Sequence, residues 1–294
     1  SGVQGSQQEN RQAFLTFGDA SWGSMKLGKD LGIYASDAIL NDMTLLGVGS
    51  GAGNLAGNTT TLGRIGTGFM YADWKSQVAY TSPNFNGFNF TVGLTQAWNA
   101  VGTGTSASST GRGGSSTAYE GKASYAWTGD VAGKVWASFI SQKVEGLTND
   151  ADAVLGDDRA NAWDIGTTVN VAGLGLTGYY GQGDGIGQTL QLNGGFDSTG
   201  KSRDSDQWYV QATYAIPTGT KLGLSYGQST LDGNSGEAFN EIEDSMTVFG
   251  AYHPITKHLN LVAEYAVSER DVDNVAADAK AKAKTISLGA ILFF

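Results

Sequence analysis

The chain has 294 residues, of which 44 are glycine, 3 proline and none cysteine, and its formal net charge is −10. The proline count excludes collagen-like and proline-rich disordered chains, and the missing cysteine excludes a disulfide scaffold, a thiol enzyme and a cysteine zinc site. The negative balance argues against a nucleic-acid partner, whose phosphates it would repel. No apolar run approaches the roughly 20 residues of a transmembrane helix. No amino-terminal signal peptide is readable, which leaves a mature, trimmed or cytosolic chain.

Taken in chain order, two-residue alternation recurs and helical patterning is scarce. It predicts about thirteen strands, at 11–17, 24–29, 73–82, 86–97, 117–127, 132–142, 161–172, 174–181, 206–216, 220–228, 244–253, 257–268 and 283–294. In 86–97, Phe88, Phe90, Val92 and Leu94 alternate with Asn89, Thr91, Gly93 and Thr95. The same holds for Trp163 and Ile165 against Asp164 and Gly166, for Trp208 and Val210 against Tyr209 and Gln211, and for Leu261 and Tyr265 against Glu264. One face of each strand is apolar and the other polar or glycine, which in an antiparallel sheet means one dry and one wet face.

The connections alternate too. Short turns sit near 18–23, 82–87, 128–133, 172–175, 216–221 and 253–258. Long polar connections lie near 31–66, 99–116, 145–160, 182–206, 229–243 and 268–282. All long connections at one end is the pattern of an outer-membrane barrel, with short turns on one side and long loops on the other. The last strand, Lys284 to Phe294, shows Ile286, Leu288, Ala290, Leu292 and Phe294 on one face. An odd strand count conflicts with the even numbers of such barrels, and the simplest repair places amino-terminal strands outside this sequence.

Residue motifs then add a family. Asn10 to Gly18 followed by Trp22 to Lys29 resembles the hairpin of Gram-negative general porins, in which an "R-x-A-F-x-x-L" strand turns through an aromatic-Gly pair into a strand ending "L-G-R". Tyr80 to Phe88 is similar to the family's "Y-x-S-P-x-F-x-G-F" turn, and the terminal Phe294 resembles its assembly signal. The resemblance implies an all-β fold. It is a single antiparallel transmembrane barrel, with sixteen strands in the complete protein, and 31–66 is a third loop folded inward to narrow the pore. Such a barrel leaves an aqueous lumen that needs no further filling. It also implies a homotrimer in the outer membrane, in contact with lipid and lipopolysaccharide, passing small hydrophilic solutes and ions by passive diffusion. A substrate-specific channel with a saturable site, using Trp74, Trp136 or Tyr209, is the alternative.

Under this reading Glu120, Lys122, Asp164 and Glu264, all in the polar register, line water, because a Lys or Arg facing mid-bilayer costs roughly 2–4 kcal/mol. Phe88, Phe90, Trp163, Trp208 and Leu288 face lipid. Tyr80, Trp127, Tyr214 and Tyr265, near strand ends, suit interfacial girdles. At the constriction, Asp37 and Asp42 on the loop are expected to face Arg11, Lys26, Lys29 and Lys75 on the wall, with Arg64 joining the basic side. Opposed charges across a narrow opening set up a transverse field that admits small polar solutes. The local alternative is that Asp37 caps a helix over 38–45. The sequence departs from the family at Lys29, at Thr81 and in the loop, where Ser36 to Asp42 replaces an acidic "P-E-F" segment.

Catalysis has little support. His253 and His258 flank the Pro254 turn with no nucleophile motif beside them. Gly181 to Gly187 joins strands and opens no helix, unlike a phosphate loop. No cofactor is expected, beyond loose Ca²⁺ on Asp157 and Asp158 or Asp271 and Asp273.

Overall fold

The computed structural model describes residues 10–45, 47, 72–98, 112–148, 154–188, 192 and 194–294. Among the described residues, thirteen strands form one antiparallel sheet in strict chain order. They are β1 (Ala13–Asp19), β2 (Gly23–Leu31), β3 (Trp74–Thr81), β4 (Phe88–Trp98), β5 (Arg112–Trp127), β6 (Val131–Thr148), β7 (Val154–Val171), β8 (Leu174–Asp184), β9 (Asp204–Ala215), β10 (Lys221–Asp232), β11 (Phe239–Pro254), β12 (Leu259–Asn274) and β13 (Ala279–Leu292). One short helix, α1 (Ser36–Leu40), lies between β2 and β3. Among the described residues β1 and β13 are not paired with each other, so the sheet is not closed.

The two-residue period fixes the faces, because side chains on an extended strand point alternately to either side. Paired registers then align like with like. Val169, Leu176, Ala212, Leu224, Phe249, Tyr265 and Ile286 form one continuous outward row across seven strands, β7 to β13. The neighbouring row, Thr168, Thr177, Gln211, Ser225, Val248, Ala266 and Thr285, faces the concave side. Outward apolar side chains such as Leu94, Phe139, Val210 and Leu224 stay about half exposed on the isolated chain, whereas inward Glu120, Ser138, Gln142 and Asp164 are buried. The arrangement is inverted relative to a water-soluble domain: grease outside, polarity inside.

The hairpin turns follow from local chemistry. Phe85 and Phe88 exchange backbone hydrogen bonds around Asn86 and Gly87, whose φ values are 52° and 100°. Two successive left-handed residues make the turn whose twist matches the strands, and Asn-Gly is its preferred sequence. At the other end, the connections near 145–160, 229–243 and 268–282 are shorter than the sequence suggested. β6 runs to Thr148, β10 and β11 extend to Asp232 and from Phe239, and β12 and β13 extend to Asn274 and from Ala279. Hydrogen-bonded ladders continue past the apolar band into polar sequence, and a hydropathy pattern ends where the band ends.

The concave side is also not empty, as the expected inward fold of the loop after β2 requires. Tyr34, Ala35 and Ala72 from the β2–β3 connection pack with Trp98, Ile140, Val144 and Leu147 on the wall. Ile186, Leu192 and Phe196, from the β8–β9 connection, join the same cluster. A second cluster brings Ala38 and Ile39 against Trp136, Tyr179 and Tyr209. The β4–β9 side of the bore therefore carries an apolar packing of its own. Trp136 and Tyr209 are sealed inside it, so neither offers a surface to a passing solute.

Candidate functional site

The segment after β2 crosses the bore and touches the wall strand by strand. Ile33 and Tyr34 donate their backbone N–H groups to Glu120 on β5, at 2.7 and 2.8 Å. Ala35 N–H reaches Ser138 Oγ on β6 at 3.1 Å. The Tyr209 hydroxyl on β9 donates to the Ala38 carbonyl at 2.7 Å. Gln211, two residues on, accepts from Met43 N–H at 2.9 Å and donates to the Asn41 carbonyl at 2.6 Å. Met43 then packs with Met246 and Val248 on β11, and Gly47 lies close to the Glu264 carboxylate on β12. The path from Ile33 to Met43, with Gly47 beyond it, thus leans successively on β5, β6, β9, β11 and β12.

Glu120 anchors the start of that path. Its Oε1 accepts the Thr95 hydroxyl at 2.7 Å and pairs with the ammonium of Lys75. Lys75 is wholly buried, with its Nζ 4.1 Å from the centre of the Trp98 ring, and the Trp98 indole N–H donates to Asp73 at 3.1 Å. A buried ion pair of this kind holds position because removing either partner strands a charge in a dry site.

Asp37, in the first turn of α1, is the acid on the loop, but its partners differ from those expected. It pairs with Lys122 on β5 at 3.1 Å and with Lys134 on β6. Burial opposes ionisation of Asp37, and the two ammonium groups outweigh it, holding the carboxyl below the ordinary aspartate range. The helix is capped by Ala35, whose φ is 59°, with no side-chain cap, so Asp37 is not an N-cap and the helix stops at Leu40. Lys26 faces inward from β2 but pairs with Asp30 one turn of the ladder away, over the ring of Phe14. Lys29 falls in the outward register beside Ser76, and Arg11 is exposed ahead of β1, so neither meets Asp37. Lys75 serves Glu120 instead. Arg64 lies outside the described residues.

Asp42 is buried just after α1 and accepts both the backbone N–H and the hydroxyl of Thr44 at 2.8 Å. Lys122, Glu120, Asp164 and Glu264 all occupy the inward register. Glu264 accepts the Tyr252 hydroxyl at 2.7 Å. Asp164 is buried on the inward face of β7, opposite Ser138. Phe294 follows β13 and is fully exposed. Asp157 pairs with Lys143 at 2.7 Å and Asp271 with Lys280 at 2.9 Å. Among the described residues no group of three or more acidic, histidine or cysteine side chains is arranged to hold a metal ion. His253 and His258 are each tied to a turn, through Thr220 Oγ1 at 2.9 Å and the Phe293 carbonyl at 3.1 Å.

Two partners escaped sequence reasoning. Lys134 is inward by the same alternation as Trp136 and Ser138, a signal present in the pattern. Asp30 follows Lys26 at the spacing that puts both on one strand face.

Comparison with known proteins agrees with this architecture. A profile of the Gram-negative porin family matches residues 1–273. No sequence among curated proteins is similar to the chain at a significant level. Among solved structures, the trimer form of OmpT, an outer membrane protein of Vibrio cholerae, is 16% identical with a TM-score of 0.62, over 97% of this chain and 80% of that one. Salmonella typhi OmpF in complex with daunomycin is 18% identical with a TM-score of 0.60, over 95% and 78%. An anion-selective porin from Comamonas acidovorans is 15% identical with a TM-score of 0.55, over 95% and 77%. With an outward apolar sheet, an inward polar one and a loop laid across the bore, the chain belongs to the Gram-negative porin family, outer-membrane β-barrels that form water-filled channels for passive diffusion.

Proposed function

We propose that the β2–β3 connection is the element that sets the size and charge of the channel, and that the protein works without catalysis. The observation carrying this is the seating of Ile33 to Gly47 on five wall strands, which leaves the passage to run beside α1 rather than through an open cylinder. Solutes small enough to pass meet the Asp37, Lys122 and Lys134 cluster, so pore width and local charge together select them. Assembly as a homotrimer belongs to this reading, supported by the trimer form of the Vibrio cholerae OmpT structure. The outward row from Val169 to Ile286 provides the surface for lipid and lipopolysaccharide. Phe294 keeps the role of assembly signal.

Planar-bilayer recording of the purified protein tests the proposal. Long-lived ohmic steps are expected, and their size should rise when Asp37 and Lys122 are both replaced by alanine. Steps of unchanged size would remove the loop from the constriction.

A further inference from the structure

The connection between β8 and β9 starts at the long-connection end, yet its residues 185–188, 192 and 194–203 carry apolar side chains into the bore. Ile186, Leu192 and Phe196 are 1%, 3% and 1% exposed. They share one buried cluster with Tyr34 and Ala35, where the crossing segment leaves β2, and with Ala72, where it returns to β3. We propose, resting on the channel reading above, that this second inward segment is a keystone for the constriction. It sets where the crossing segment lies, with Phe196 as the positioning residue and Arg203 as its mount.

The wall is made to receive it. Inward positions on a strand that lines water are polar, as Glu120, Ser138 and Asp164 are. Toward the outer end of β6 and β7 the same register becomes apolar, with Ile140, Val144, Ala160 and Ala162 inward and buried. Apolar side chains on a wet face are favourable only when something covers them. The crossing segment supplies part of that cover and the keystone the rest. Space there is close-fitted: a Cβ on Gly183 would lie 2.7 Å from the Ala162 Cβ and 2.8 Å from Ile186 Cγ2.

The keystone is stiff in its own right. The Arg203 N–H donates to the Gly195 carbonyl at 2.8 Å, the Gly185 N–H to the Arg203 carbonyl at 3.0 Å, and the Leu192 N–H to the Ile186 carbonyl at 2.7 Å. A Cβ on Gly195 would stand 2.3 Å from the Gly185 carbonyl oxygen, so only glycine lets these two arms touch. Arg203 Nη1 donates to the carbonyls of Gly194 and Phe196, while its other nitrogens hold Glu237. Gln188 donates to the carbonyls of Ser229 at 2.6 Å and Ile242 at 3.1 Å, which fastens the segment to β10 and β11. The apolar cluster ties it to β6 and β7 as well, so it is braced on both sides. The crossing segment is the softer part, because α1 has only five residues and a helix that short is not stable by itself. A braced part packed on a soft one decides where the soft one sits.

Planar-bilayer recording of the purified protein in KCl reads that position in two ways, as open-channel noise and as the largest neutral polyethylene glycol that enters the pore. Phe196→Ala is expected to raise the noise severalfold and to admit larger polymer, at temperatures well below its unfolding midpoint. Phe196→Leu keeps an apolar side chain in the cluster and should restore the quiet current and the original cut-off. The double change Arg203→Gln and Glu237→Gln removes both charges together and should act like Phe196→Ala. If Phe196→Ala does not fold into the membrane, Ile186→Val, one methylene smaller, carries the same expectation at lower amplitude. Variants that lower only the unfolding midpoint, with noise and cut-off unchanged from a conducting wild type, overturn this proposal alone. A wild-type protein without conductance overturns the channel reading, and this proposal with it.

Discussion

The carboxylate of Glu120 accepts the backbone N–H of Tyr34 at 2.8 Å, and the same oxygen accepts that of Ile33 at 2.7 Å. Its second oxygen holds Thr95 and Lys75, so one side chain on β5 secures both the start of the inserted loop and the strand that follows it. Replacing Glu120 by alanine removes the carboxylate from the fully buried Lys75, a loss of about 3–5 kcal/mol for a buried pair. Thermal unfolding followed by circular dichroism should shift down accordingly, and current through the channel should become noisier. Unchanged stability with quiet current would refute the anchoring role.

The outward row makes a second expectation. Leu224 sits between Ala212 and Phe249 on neighbouring strands and faces away from the bore. Leu224→Arg should cost about 2–4 kcal/mol in a bilayer. Thr91→Arg, in the inward register of β4, should be far milder. Folding yields into lipid vesicles, read by heat-modifiable gel mobility, compare the two, and equal losses would contradict the assignment of faces.

A third concerns the long-connection end. Arg203 donates through Nε to Glu237 at 2.8 Å and pairs with it again through Nη2, and its Nη1 reaches the carbonyls of Gly194 and Phe196 at 2.7 and 3.0 Å. These hydrogen bonds from Arg203 hold the Glu237 carboxyl below the ordinary glutamate range, against a smaller opposing effect of burial. Because the folded value lies below the unfolded one, the stabilisation is complete above about pH 4.3, the unperturbed value, and is lost as pH falls through the folded value. Exchange protection of the Gly195 and Arg203 amides should therefore drop in acid. In Glu237→Gln the protection should already be lower at neutral pH and change little with acid.

A fourth is local. The β7–β8 turn places Ala172 at φ 48° and Gly173 at φ 83°. A left-handed alanine is strained, and asparagine tolerates the region better. Ala172→Asn is expected to add on the order of 0.5–1 kcal/mol of stability. Gly173→Ala should act in the opposite direction, and thermal unfolding of the pair checks both signs.

Alternation was enough to read thirteen strands and their faces, because the bilayer imposes a two-residue code along each strand. The outward Phe88 and Leu224 and the inward Glu120 and Asp164 follow from it directly. Pairing across the bore was a different matter. Asp37 selects Lys122 and Lys134 rather than Lys26 or Lys29 because of where the loop turns, and that turn depends on backbone contacts to Glu120 and Ser138, about ninety to a hundred residues distant. The inward packing of Ile186 and Phe196 was equally hidden, since a glycine-rich polar connection gives no periodic sign of a core. Strand ends at Thr148 and Asn274 escaped because polar residues outside the bilayer satisfy a ladder as readily as a loop.

Part of the wall's grip on the crossing segment is on its main chain. Glu120, Ser138, Tyr209 and Gln211 bind amides and carbonyls that any amino acid supplies. Those bonds are indifferent to side-chain identity, whereas Tyr34, Ala38, Ile39 and Met43 are also fitted into the wall by their side chains. Permeability can therefore be rewritten at an exposed position such as Leu40, by selection or by design, while the barrel that carries the segment remains the same.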